Sequence, residues 1–116
     1  MSGSIEIVAA AELLSAAAFG ASLAETRGDS RRPAVDLARC ACVAAARGRG
    51  VTWHALADAL SALRGRPVSV GGLRKLALRW SAAARPAIPS AFSRALVDIY
   101  ESIVGGIALR ISPLAA

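Results

Sequence analysis

Residues 47–85 read RGRGVTWHALADALSALRGRPVSVGGLRKLALRWSAAAR, and this stretch decides the fold. Trp53, Leu56, Ala57 and Leu60 are spaced i, i+3, i+4, i+7, and Leu73, Leu76, Ala77 and Trp80 repeat the pattern, which is the spacing of a helix with one buried face. Thr52 and Ser69 each precede a stripe, where a hydroxyl can accept from the free N–H groups of a helix start. Gly65 and Pro67 break the chain between them. Two helices are predicted, Trp53 to about Leu63 and about 70–84. With Leu73 at 0°, Leu76, Ala77 and Trp80 fall within about 60° of it, whereas Arg74, Lys75 and Arg79 fall at about 100°, 200° and 240°. The second helix is therefore amphipathic with a basic outer face, on which Leu78 is the one apolar member, at about 140°.

Outward from this pair, the chain continues in helical segments. Ser4 can cap a first helix to about Thr26, with Ile7, Ala11, Leu14, Ala18 and Ala21 as its stripe. Gly28, Asp29 and Ser30 break it, and Pro33 is suited to the first position of a second helix ending near Arg47. That helix is expected to bury Leu37, Cys40, Ala41 and Ala44. Arg47 to Gly50 form a basic turn, read either as a phosphate contact or as a helix C-cap. Beyond Pro86 and Pro89, Ser90 caps a fifth helix to about Val104, ended by Gly105 and Gly106. The tail, with Ile107, Leu109 and Ile111 before Pro113, reads as a strand or as frayed helix. Phe92, Leu96, Val97, Ile99, Tyr100, Ile103 and Val104 span roughly 160° of this helix, wider than the arc of about 100° needed to dock on one core. These seven residues are the expected dimer contact. The fold class is all-α: one domain, 1–116, built as a small bundle of about five helices, with a unit at 47–85 and a C-terminal helix at 90–107.

Composition narrows the function. The chain has 116 residues, 55% hydrophobic but only 4% aromatic, so its core packs small side chains, which suits helices. Its formal net charge is +6. Between Arg27 and Arg94 thirteen basic residues face three acidic ones, a local excess of ten, which makes a polyanion the first partner to consider. Cys40 and Cys42 lie about 200° apart on a helix and cannot pair with each other there; with His54 alone to join them, no metal site is predicted. His54 and Asp58 form an exposed i, i+4 pair without a nucleophile motif, and no phosphate loop or nucleophile elbow is present. No enzyme activity, cofactor or small-molecule substrate is expected. Mean hydropathy is +0.50, but Glu6 and Glu12 interrupt the first apolar stretch and no secretory start is apparent, so a cytoplasmic chain without membrane partners is expected.

The run TWHALADALSAL followed by RGRPVSVGGLRKLALRW, Thr52 to Trp80, resembles the helix-turn-helix superfamily of DNA-binding proteins, with a longer turn, Arg64 to Ser69, than the compact motif. The resemblance implies double-stranded DNA as partner, with Gly71, Gly72, Arg74, Lys75, Leu78 and Arg79 facing bases in the major groove. Arg47, Arg49, Arg64, Arg66, Ser69 and Arg85 would hold phosphates. The function expected is a small homodimeric regulator, or a protein that marks a plasmid or phage site. The alternative is a helical protein-interaction module without nucleic-acid binding.

Overall fold

Alanine continuity runs through the first half of the chain, and local punctuation divides it into helices. The structure, a computed structural model, describes residues 3–111, which form α1 (Ser4–Ala18), α2 (Leu23–Arg27), α3 (Pro33–Gly48), α4 (Trp53–Arg64), α5 (Val70–Ala84) and α6 (Ala91–Ile111). No strand occurs among the described residues, in keeping with an all-α bundle. Pro113 and the end of the expected tail lie outside them.

The expected single helix from Ser4 to Thr26 is two helices. α1 closes in a Schellman arrangement, in which Ala21 N–H reaches Ala16 C=O at 2.8 Å across Gly20 in the left-handed region (φ +67°). α2 then opens on a capping box: Glu25 N–H donates to Ser22 Oγ at 3.0 Å and Ser22 N–H donates to Glu25 Oε1 at 3.1 Å. The cap of α1 is Gly3, not Ser4. Its buried stripe is also rotated from the expected one, because Val8, Ala11, Glu12 and Ser15 face inward while Ala18 is exposed.

α3 is the centre of the bundle. It touches every other helix, so it is buried on more than one face. Val35, Ala38, Cys40, Ala41, Cys42, Val43, Ala45 and Ala46 are all buried, while Leu37 and Ala44, expected inside, are only half-buried. Small side chains here let neighbouring helices approach closely. The helix ends in a second Schellman arrangement, with Val51 N–H on Ala46 C=O at 3.2 Å and Gly50 at φ +87°. The 47–50 turn is thus a helix C-cap.

α4 and α5 follow the expected pattern. Thr52 Oγ1 accepts from Ala55 N–H at 3.2 Å and Ser69 Oγ accepts from Gly72 N–H at 3.1 Å. Leu56, Leu60 and Leu73 are fully buried and Trp80 nearly so. α5 packs more extensively on α3 than on α4.

Two expectations for α6 are corrected. Ser90 and Ser93 do cap it reciprocally, but the helix runs through Gly105 and Gly106 to Ile111. Gly106 lies where a Cβ would come 3.0 Å from Leu14 Cδ1 of α1, so glycine serves close helix packing there, and burial of Ile107 holds the following turn. The broad apolar arc is not surplus. α6 packs on α1, α5 and α3; Leu96 and Ile103 are buried, and Val97, Ile99, Tyr100 and Val104 are half-buried against the same core. Phe92, 57% exposed, is the one residue of the expected dimer set left on the surface.

Candidate nucleic-acid interface

Gly71, Gly72, Arg74, Lys75, Leu78 and Arg79 all lie exposed on α5, so the structure brings the six expected base-facing residues together on one helix. No acidic residue occurs in α5. Leu78 is 70% exposed, an apolar side chain without packing partners in its own core.

The surrounding cations divide into two groups. On one side they are tied to carboxylates. Arg79 bonds Asp36 of α3, and Arg66 donates to Asp29 at 2.8 Å and to Gly28 C=O at 3.0 Å. Arg64, expected to hold a phosphate, is turned inward: its side chain is 9% exposed, and its Nε lies 3.8 Å from Glu12 Oε2. Burial pulls the Arg64 guanidinium below its usual range, and Glu12 is the counter-charge that makes this position tolerable. Arg27 completes the cluster through Nε and Nη2, at 3.1 and 2.8 Å from Glu12 Oε1. Ser69 is occupied as the cap of α5.

On the other side the cations are free of carboxylates. Arg47 lies with its guanidinium carbon 4.4 Å from the centre of the Trp53 ring and donates to Val51 C=O at 2.9 Å. Arg74 approaches the same ring at 5.5 Å. Both distances are within cation–π range, so Trp53 links the end of α3 to the outer face of α5. Arg49, Lys75 and Arg85 are exposed and make no ion pair among the described residues.

Sequence reasoning missed the carboxylate partners Glu12, Asp29 and Asp36, and it took Trp53 for a core residue alone. The Arg66 and Arg79 pairs span 37 and 43 residues, which no local pattern reveals. The Arg47 bond to Val51, four residues on, was within reach as an arginine folding over its own helix end.

Cys40 and Cys42 are buried and unpaired. Burial pushes their thiols up to about 11 and about 12 respectively, which suits inert core residues. Among the described residues no group of His, Cys, Asp and Glu could hold a metal ion, and no helix is long and apolar enough to cross a membrane. No family model, curated protein or solved structure matches the chain.

Proposed function

We propose that this chain is a small DNA-binding regulator, or a marker of a plasmid or phage site, that lays the outer face of α5 in the major groove. The observation that carries the reading is the composition of that face: Arg74 and Lys75 are exposed on a helix with no acidic residue, flanked by Arg47 and Trp53. Fifteen residues make a rod about 22 Å long, and the groove, about 12 Å wide, admits one helix. Arg74, Lys75 and Leu78 would meet base edges, and Gly71 and Gly72 would allow the helix start to approach the backbone. Arg47, Arg49 and Arg85 would hold phosphates. Arg64 is withdrawn from that role by Glu12, and Arg66 and Arg79 would first have to leave their aspartates. Reduced, buried thiols agree with a cytoplasmic location. A homodimer would draw on apolar side chains left exposed, among them Phe92 of the α6 set and Ile88, since the rest of that set packs at least partly on the chain's own core.

The test is selection of bound sequences from random duplexes, followed by anisotropy titration at several salt concentrations. Each phosphate contact should contribute about 0.9 to the slope of log affinity against log salt. Arg74→Ala should weaken a selected site by about 1–3 kcal/mol and relax its sequence preference, while Arg49→Ala should weaken all duplexes alike. Absence of binding at low salt would overturn the reading and favour the protein-interaction module, whose contact surface would be the exposed Leu78, Ile88 and Phe92.

A further inference from the structure

A cleft of about 350 Å³ opens between the C-terminal ends of α3 and α5 and the middle of α6. Trp53, Trp80 and Tyr100 line it, with Arg47 and Arg85 beside them and no carboxylate in its wall. In a chain that is only 4% aromatic, three of its aromatic side chains line this one cleft. Trp80 is fixed from two sides, edge-on to Phe19 with centroids 6.4 Å apart and tilted toward Tyr100 at 6.5 Å. Ala44, Gly48, Ala77 and Ala84 keep the remaining wall low.

Three polar groups of this wall are unused. Among the described residues nothing bonds the Tyr100 or Ser81 hydroxyl, or the Arg85 guanidinium. The Tyr100 hydroxyl lies so close to Gly48 that a Cβ there would collide with it, and so it occupies space that only glycine leaves. Arg47 is held in place by Trp53 and by Val51 C=O through one of its nitrogens, which leaves further N–H donors of its fork available.

We propose that this cleft binds a small planar aromatic anion. Aromatic walls favour a flat ring by offset or edge contact. Two guanidinium groups that make no ion pair among the described residues, in a wall with no carboxylate, favour a carboxylate or phosphate, which each can take bidentately. The volume is at the small end of the range of about 300–1,000 Å³ for ligand pockets, which limits the ligand to one or two rings with a short anionic arm. The cleft shares Arg47 and Arg85 with the proposed phosphate contacts, so its ligand would compete with DNA for them, but its binding is read without DNA and stands or falls separately.

The experiment is calorimetric titration of the full chain with 1-naphthoate and with 1-naphthyl phosphate, which separate the carboxylate from the phosphate form of the ligand. The neutral controls are 1-naphthamide and 1-naphthol, and cyclohexanecarboxylate and inorganic phosphate are the non-aromatic anions. At least one of the two aromatic anions should bind, about tenfold or more tightly than its neutral counterpart and than the ringless anions. Arg85→Ala should lower that affinity by about tenfold or more while its circular dichroism and melting temperature match those of the parent. Arg49→Ala, outside the cleft, should leave it unchanged. The proposal is overturned if neither aromatic anion binds, if the neutral compounds bind equally well, or if Arg85→Ala binds as tightly as the parent.

Discussion

Glu12→Ala should destabilise this fold strongly. Glu12 has a side-chain exposure of 1% and lies between two guanidinium groups, Arg27 at 33% and Arg64 at 9%. Its removal leaves Arg27 able to reach water, but Arg64 stays in the protein with its charge uncompensated. Nε of Arg64 already lacks a hydrogen-bond acceptor, and Glu12 is the one carboxylate within ion-pair distance of Arg64 among the described residues. Breaking one partner of a buried pair costs about 3–5 kcal/mol; because Arg27 can be hydrated, the lower end, about 3 kcal/mol, is expected here. For a chain of this size that is roughly 12 °C in melting temperature, at about 4 °C per kcal/mol, and a large part of a total stability of about 5–15 kcal/mol. Urea unfolding followed by far-ultraviolet circular dichroism measures it. Glu12→Leu combined with Arg64→Met should recover most of the loss, since an apolar replacement of both partners leaves no orphaned charge. A loss below about 1 kcal/mol in Glu12→Ala would refute the view of Arg64 as a desolvated cation held by Glu12. A double variant as unstable as the single one would assign the cost to packing instead.

Other expected outcomes test separate parts of the structure. Gly105→Ala should raise stability by about 0.5–1 kcal/mol, because a Cβ at Gly105 meets nothing within 4 Å while the residue lies inside α6; the urea midpoint reads this. Cys40 and Cys42, with thiols raised to about 11 and about 12, should react with Ellman's reagent at neutral pH only as fast as the chain opens, and fully in urea. The Arg32 hydrogen bond holds Glu25 below its ordinary value of 4.5, and Arg66 holds Asp29 below 3.8. Depressed carboxylate values contribute stability that is present above those ordinary values and lost as pH falls through the folded ones. The urea midpoint should therefore fall on acidification below about pH 4.5, and Glu25→Gln should make that fall shallower.

The parts of the fold legible in the sequence are those set by neighbours in the chain. Thr52, Ser69 and Gly65 mark the ends of α4 and α5 because caps and left-handed turns are local. The break after α1 was equally local, in Gly20 and the Ser22 to Glu25 box, but an alanine stripe continues through it at helical spacing and points the other way. Gly105 and Gly106 are the opposite case. Taken alone they end a helix, and what carries the helix past them is Leu14 on α1 and the burial of Ile107, neither of which the segment itself contains.

The candidate interface shows the same division in its electrostatics. Sequence periodicity places Arg74, Lys75, Leu78 and Arg79 on one face of α5, and all four are exposed there. Counting cations, however, treats each charge as free, and a charge is free only if nothing distant neutralises it. Glu12, Asp29 and Asp36 occupy Arg64, Arg66 and Arg79 from other helices and loops. Each such pair cancels part of the outward field, and each asks a polyanion to displace a carboxylate before it gains a contact. The attraction is thereby concentrated where no carboxylate competes, on Arg74 and Lys75 and on the arginines around Trp53. On the proposed reading, substitutions on the Trp53 side of α5 should lower the affinity for duplex DNA, read by anisotropy titration, more than equal changes at Arg66 or Arg79.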